Sequence, residues 1–296
     1  MPYDFLALGA AACWACSSLS SVTPARHLGA FAFTRWRMII VAFVLWAVVL
    51  LTSGWQTLPL GVFKNMALSG LIGIFIGDTA LFSSMNRLGP RRSGVLFATH
   101  AIFSVLLGFY IFHDSLNNQA MIGITLTITG VMIAIMMGRN KEKAHVWETN
   151  NGSIALGIGL GLLSACCQAI STLFAKPVMQ ANVDPITAAA IRVTIAALAH
   201  SCLYLTGFPA AKALQPITKK MFAQTALNGI LGMGVGMTLL LLALRHGNLG
   251  IVSVLSAVTP VLVLPLLWFY LKQAPAPGAW LGAGLTTLGT ALILLR

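Results

Sequence analysis

The chain has 296 residues, of which 58% are hydrophobic and only 8% are charged. Soluble globular domains carry about 25% charged residues, so this composition indicates an integral membrane protein. The net charge of +12 does not indicate a nucleic-acid-binding surface, because most Lys and Arg residues lie at the ends of apolar segments, where membrane topology puts them. The longest stretch between apolar segments, 138–152, leaves no room for a soluble catalytic or nucleotide-binding domain.

Hydropathy predicts an all-α integral membrane protein with about ten transmembrane helices, each of about 20 residues. Helices are required because an unpaired backbone N–H or C=O group in lipid costs several kcal/mol. In chain order, the predicted spans are 4–22, 30–53, 66–85, 93–112, 118–137, 153–176, 185–206, 222–244, 251–270 and 277–295. Turn-forming pairs such as Gly89-Pro90 and Asp184-Pro185 separate neighbouring spans.

The two halves of the sequence repeat. Residues 68–79 align without a gap on residues 227–238 at an offset of 159. The residues that are identical in the two copies are Leu68, Gly70, Gly73, Gly77 and Thr79. The same offset aligns Gly123 with Gly282 and Gly130 with Gly289. We therefore predict a first five-helix repeat over 1–137, a polar linker over 138–152 and a second five-helix repeat over 153–296. An odd number of helices in each half makes the second half inverted in the membrane, which is typical of secondary transporters.

A few ionisable residues fall inside the predicted spans, where charge is costly and side chains usually face a cavity or a partner. Counting about 1.5 Å of rise per residue puts Trp14, Arg37, Asp78 and His100 in one layer, roughly 10–12 Å below the same membrane surface. This layer can be a proton- or substrate-coupled site, or it can be a structural bridge that satisfies Asp78. In the second half, Met237 and Thr259 stand at the positions of Asp78 and His100, so the polarity is asymmetric.

Arg192 corresponds to Arg37 at an offset of 155, and each lies near the start of a predicted span. Each arginine can contact substrate, or it can extend its charged end to the membrane interface. Gln168 and Thr259 belong to a group of neutral polar residues that can line a cavity or form hydrogen bonds between helices. The candidate substrate or coupling residues are Trp14, Arg37, Asp78, His100, Gln168, Arg192 and Thr259.

The stretch 243–260, with the sequence ALRHGNLGIVSVLSAVTP, resembles the signature of the EamA-like family of the drug/metabolite transporter superfamily. Gly282 and Gly289 match the two later glycines of that signature, and Gln273 stands where a Glu is expected. In the first half, His113-Asp114 stands at the Gly-Glu position and Ala101 at the proline position. Trp14 and Arg37 resemble the aromatic residue of the family's first helix and the arginine of its second, and 77–79 followed by Leu88-Gly89 resembles one branch of the family.

The resemblance covers nearly the whole chain and implies a transporter of small metabolites, amino acids or drugs. We expect an exporter that works by alternating access, with protons as a candidate coupling ion, in the inner membrane of a bacterial cell. A non-transporting membrane scaffold or a channel is the alternative. The sequence specifies neither the substrate nor the oligomeric state.

The sequence gives no indication of catalysis. It contains six carboxylates, no His-Glu-x-x-His motif and no phosphate-binding glycine loop. Cys13 and Cys16 are spaced as Cys-x-x-Cys, but they lie inside a span without a second spaced pair, so packing explains them better than a metal site. We therefore expect no enzyme activity, no cofactor, no metal and no nucleic-acid partner.

The orientation of the chain is open at this stage. If the N-terminus is inside the cell, the inner loops and tail carry four Lys and Arg residues and the outer loops carry eleven. The positive-inside rule therefore favours both termini outside. The family resemblance implies both termini inside.

Overall fold

The computed structural model describes residues 2–114, 116–137, 153–271 and 277–295. The predicted polar linker 138–152 and Gln273 lie outside the described residues. The long regular elements are helices, which we number in chain order. They are α1 (Pro2–Leu28), α2 (Ala30–Thr52), α3 (Phe63–Leu88), α4 (Pro90–Ala98), α5 (His100–Phe112), α6 (Asn118–Met137), α7 (Ile154–Gln180), α8 (Pro185–Leu205), α9 (Lys219–His246), α10 (Leu249–Ser256), α11 (Thr259–Leu271) and α12 (Pro277–Leu294).

The helices agree with a multi-pass membrane protein. Within the described residues, 8 helices are long and apolar enough to cross a bilayer, counting α4 with α5 and α10 with α11 as single spans. The bent helix α1 raises the number to 9, and the apolar part of α6, Asn118–Ala134, is shorter than the others. The prediction of an all-α membrane protein is confirmed at this level.

Helix α1 bends by 55° between Tyr3–Ser18 and Ser20–Leu28. Four serine hydroxyls donate to backbone carbonyls three residues earlier at 2.7–3.2 Å, namely those of Ser17, Ser18, Ser20 and Ser21. Such bonds compete with the helical ladder and often bend a helix. Pro24 adds to the effect because it has no backbone N–H to donate. The bend and the longer end of α1, beyond residue 22, were not predicted from hydropathy.

Helices α3 and α9 each contain a π-helical segment, Leu71–Asp78 and Ile230–Gly236. The two segments begin 159 residues apart, which is the offset of the sequence repeat. π-helical turns are rare and often occur at functional sites. The first segment ends at Asp78, one of the predicted site residues.

The predicted spans 93–112 and 251–270 are each divided into two helices. The first break lies at Thr99, between α4 and α5, and the second at Ala257 and Val258, between α10 and α11. Pro260 has no N–H to donate to the carbonyl of Ser256, and the hydroxyl of Thr259 donates to that carbonyl instead, at 2.9 Å. At the first break, the Thr99 hydroxyl donates to the carbonyl of Leu96 at 2.6 Å.

Helices from the two halves of the chain pack against each other throughout. The first helix of each half contacts the π-helical span of the other, α1 with α9 and α7 with α3, and α2 packs against α8. Helices α6 and α12 pack most extensively. Their contact is lined by the predicted glycines, so that an added Cβ at Gly289 would lie 2.6 Å from the carbonyl oxygen of Gly123. Such close backbone contact is typical of small-residue interfaces in membranes.

The α6–α12 contact predicts that Gly282→Ala destabilises the protein, whereas Gly284→Ala on the same helix does not. A Cβ at Gly282 would collide with the backbone of Ala134 and lie 2.6 Å from the carbonyl of Gly130, but a Cβ at Gly284 meets nothing within 4 Å. We expect the first variant to lose about 1–3 kcal/mol of unfolding free energy. The second should be neutral or gain up to about 1 kcal/mol. Unfolding of purified variants in detergent micelles measures both, and equal stabilities would contradict this packing.

Candidate functional site

Arg37 on α2 and Asp78 at the end of the π-helical segment of α3 form a buried ion pair. Their side chains are only 5% and 10% exposed. The rings of Phe82 and Phe33 lie 4.9 and 5.6 Å from the guanidinium carbon of Arg37, and aromatic faces attract such a cation. The structure therefore brings together two of the predicted site residues, and it gives the carboxylate of Asp78 a charged partner.

The ion pair is linked to the second half of the chain through Asn228 on α9. A terminal nitrogen of Arg37 donates to Oδ1 of Asn228 at 3.2 Å. The amide nitrogen of Asn228 donates in turn to the backbone carbonyl of Ser17 on α1, at 2.8 Å. One continuous chain of polar contacts thus joins α3, α2, α9 and α1.

Arg192 on α8 lies in a second cluster. One terminal nitrogen is 2.8 Å from the sulfur of Met237, and the other donates to the hydroxyl of Ser171 at 2.9 Å. Ser171 and Ser69 exchange hydrogen bonds, each hydroxyl donating to the other residue's carbonyl at 2.7–2.8 Å. Arg192 is also close enough to Asp78 for a favourable charge interaction, which connects the two clusters.

Glycines permit the close approach of helices at both arginines. A Cβ at Gly70 would collide with the backbone of Arg192. At the equivalent position of the second half, a Cβ at Gly229 would lie 3.0 Å from Cγ of Arg37 and 2.6 Å from a methyl group of Val41. The residues that the sequence repeat aligns therefore occupy equivalent places beside the two arginines.

Among the described residues, no contact was found that joins Trp14 or His100 to the ion pair. The indole N–H of Trp14 donates to the carbonyl of Gly232, inside the π-helical segment of α9, at 2.9 Å. His100 begins α5, is 2% exposed, and packs at 5.0 Å against the ring of Phe97. Its Nδ1 atom is buried without a hydrogen-bond partner.

Gln168 and Thr259 occupy different surroundings. Gln168 is buried on α7, where its backbone carbonyl accepts a hydrogen bond from the hydroxyl of Thr172 at 2.7 Å. Thr259 lies at the break before α11, and its hydroxyl is also 3.4 Å from the carbonyl of Ala11 on α1. Neither residue joins the arginine clusters directly among the contacts found in the described residues.

Sequence reasoning missed a second ion pair, in which Lys176 is buried and Asp114 is partly buried. Lys176 on α7 contacts both carboxylate oxygens of Asp114 at 3.1 Å, and the backbone N–H of Leu249 at the start of α10 donates to the same carboxylate at 3.1 Å. The Lys176 ammonium also lies 4.2 Å from the ring centre of Phe112. In the sequence, Asp114 stands at the expected Gly-Glu position and Lys176 lies at the end of the predicted span 153–176.

His200 on α8 lies inside the predicted span 185–206 and is not among the predicted site residues. Its Nε2 atom is 3.2 Å from the hydroxyl of Thr79, which directly follows Asp78. The ring of Phe75 packs against it at 4.7 Å. His200, on a helix of the second half, therefore contacts the residue that follows Asp78 in the chain.

The described residues contain no group of three or more His, Cys, Asp or Glu that could hold a metal ion. They also contain a small cavity at the two helix breaks, between α6 and the ends of α4 and α10. It is lined by Ala98, Thr99, Thr127, Ile128, Val131, Met132, Val254 and Ala257. The hydroxyl of Thr127 is buried there without a partner.

Comparison with known proteins gives consistent results. The model of the EamA-like transporter family matches residues 1–136 and 155–295. An uncharacterized transporter of Clostridium kluyveri is 22% identical over 153 residues, covering 49% of this chain and 47% of the relative, so the match spans about half of each. A crystal structure described only as that of a protein has a TM-score of 0.77 at 18% identity, covering 99% of this chain and 96% of the other. This last likeness concerns the fold alone.

The buried Arg37–Asp78 pair predicts strong coupling between the two residues. Asp78→Leu should cost about 3–5 kcal/mol of unfolding free energy, because it leaves the Arg37 charge buried and unpaired. Adding Arg37→Met to that variant should recover most of the loss. A double-mutant cycle measured by unfolding in mixed micelles gives the coupling energy, and strictly additive losses would contradict direct pairing.

The Asp114–Lys176 pair predicts a graded effect of two substitutions. Asp114→Ala should cost about 3–5 kcal/mol, because it strands the Lys176 charge and the Leu249 N–H. Asp114→Asn keeps an oxygen acceptor for that N–H, so it should cost less. The same unfolding measurement compares the two variants, and a wild-type stability for Asp114→Ala would rule out a contribution from this contact.

Proposed function

Because the chain belongs to the EamA-like transporter family, we propose that it is a secondary transporter that exports small metabolites, amino acids or drugs by alternating access. Its membrane is the inner membrane of a bacterial cell. The multi-pass helical fold and the family membership support transport in general, and the direction, substrate and coupling ion are parts of the proposal.

The carrier consists of two inverted halves, 1–137 and 153–296, joined by the polar linker. Three observations support this division. The π-helical segments of α3 and α9 begin 159 residues apart, the fourth span of each half is broken, and the family model matches the chain as two separate segments. Secondary transporters built from inverted repeats bind substrate near the midplane, between the halves.

The observation that carries the proposal is the polar network between the halves. Arg37 of the first half bonds both to Asp78 of its own half and to Asn228 of the second. Arg192 of the second half bonds to Ser171, which pairs with Ser69 of the first. Charged groups are costly inside a membrane, and they usually mark a substrate or ion pathway. Rearranging these bonds changes the contact between the halves.

Protons are the proposed coupling ion, and Asp78 is the proposed carrier of the proton. When Asp78 is charged, it holds Arg37 in the ion pair. A proton on the carboxylate removes that attraction and frees the arginine to form other contacts. In this way proton binding can change the relative stability of the two orientations of the carrier.

A growth challenge tests the function. Cells that overexpress the protein should survive toxic amino acids, amino-acid analogues, purine analogues or cationic drugs of one class better than cells with an empty vector. Asp78→Asn should abolish that resistance, because the amide cannot carry a titrating charge. Thr79→Ser, which keeps the hydroxyl beside His200, is the matched control and should retain it.

Each outcome of the challenge has a defined meaning. Resistance that depends on Asp78 supports a proton-coupled exporter, and resistance that survives in Asp78→Asn with unchanged pH dependence contradicts the coupling role. No resistance to any compound, with the protein verified in the membrane, contradicts export. Uptake or a scaffold role would then explain the protein better. In a separate measurement of solute flux, a rate that does not saturate with solute concentration would indicate a channel.

A further inference from the structure

Arg192 carries a charge that the described residues do not fully neutralise. The residue is 1% exposed and ranks first by volume among the fully buried side chains. Its two terminal nitrogens contact the neutral sulfur of Met237 and the neutral hydroxyl of Ser171, and its Nε atom is buried without any partner. A guanidinium group has five N–H donors, so most of its hydrogen-bonding capacity is unused here.

The equivalent arginine of the first half has the partner that Arg192 lacks. Arg37 pairs with the carboxylate of Asp78, and the sequence repeat aligns Asp78 with Met237. Thus both halves aim an arginine at the same position of the π-helical span, but only the first half supplies an anion there. A thioether is a weak acceptor and carries no charge.

Two further carboxylates among the described residues bond to groups other than Arg192. Asp114 pairs with Lys176, and Asp184 caps the start of α8 by accepting from the N–H and hydroxyl of Thr187. Asp78 interacts with Arg192 only through charge, while its hydrogen bond goes to Arg37. The cluster of Arg37, Asp78 and Arg192 therefore has an excess of one positive charge.

We propose that Arg192 binds the carboxylate of the transported solute, so that the substrate class is small monocarboxylates. The inference rests on the proposed transport function. In this account, the substrate supplies to the second half the anion that Asp78 supplies to the first. Arg192 is fully buried, so the solute reaches it in an orientation of the carrier that is open to one side of the membrane.

Charge and geometry favour a carboxylate over other ligands. One monoanion neutralises the cluster, whereas a doubly charged phosphate would reverse its charge. Two N–H donors of a planar guanidinium match the two oxygens of a carboxylate. The Nε atom of Arg192, which has no hydrogen-bond partner, can supply one of these donors. A cationic drug would add to the excess positive charge, so it is disfavoured.

The experiment compares acids with their amides, in which a neutral group replaces the carboxylate. Purified protein in detergent is heated with acetate, benzoate or L-leucine, and in parallel with acetamide, benzamide or L-leucinamide. Inorganic phosphate is a further arm. A ligand that binds the folded state raises the midpoint of thermal unfolding. We expect a rise of several degrees with at least one acid and none with its amide, and the benzoate and leucine arms separate plain carboxylates from amino acids.

Two variants locate the binding. Met237→Asp supplies Arg192 with an internal carboxylate, as Asp78 does for Arg37. It should raise the unfolding midpoint without added acid and abolish the further rise on adding acid. Met237→Asn has a similar shape but no charge, and it should keep the response to acid.

Three results would overturn the inference. They are an equal response to an acid and its amide, an acid response that persists in Met237→Asp, and stabilisation by phosphate but by no carboxylate. The wild-type comparison does not depend on either variant folding. Failure of the transport proposal gives a different result, in which acids stabilise the protein but overexpression changes survival in no growth challenge. Resistance to an uncharged or cationic compound alone would instead contradict the carboxylate assignment and leave the transport proposal intact.

Discussion

A guanidinium group buried among membrane helices needs acceptors, and this requirement accounts for much of the structure around Arg37. The Asp78 carboxylate supplies the countercharge, Asn228 supplies a neutral acceptor, and the rings of Phe33 and Phe82 cover the charge. Asp78 stands at the end of a π-helical segment, and glycines at equivalent positions of α3 and α9 let helix backbones approach both arginines. Placing these groups in hydrocarbon is expensive, and the contacts among them recover that cost only when all are present.

The two halves use this arrangement unequally. The first pairs its arginine with a carboxylate, and the second directs its arginine at a thioether and a serine hydroxyl. The neighbouring aligned positions, Gly77 with Gly236 and Thr79 with Thr238, are identical in the two halves. The difference between Asp78 and Met237 therefore draws attention to this position. In our account, the first half holds the coupling group and the second half holds the substrate. The Asp114–Lys176 pair ties the end of α5 to α7 and to the start of α10.

Much of the fold was predictable because bilayer chemistry leaves few choices. Continuous apolar segments predicted the long helices, and the boundaries agree to within a few residues except at α1, whose extension past residue 22 includes Pro24. The break at Thr99 was not predicted, because average hydropathy is insensitive to the local hydrogen bonds that interrupt a helix. Depth along the helix grouped Arg37 with Asp78 but also with His100, because depth gives height in the membrane and not the direction in which a side chain points. Asn228 and Lys176 were missed since an amide in a span and a lysine at a span end are ordinary features of membrane helices.

The most direct test of a carrier site between the halves is the access of a reagent to that site from each face of the membrane. The five native cysteines would be replaced by alanine, and a cysteine would be introduced at Ser171, beside Arg192. A cysteine at Ala175, in the hydrophobic core of the same helix, is the control. The account predicts that a membrane-impermeant maleimide reacts with the cysteine at position 171 when it is added to either face, and that it does not react at position 175. The liposomes must still hold a K⁺ gradient, which shows that they are sealed to the reagent. Reaction from one face alone, or from neither, would contradict alternating access to the arginine network.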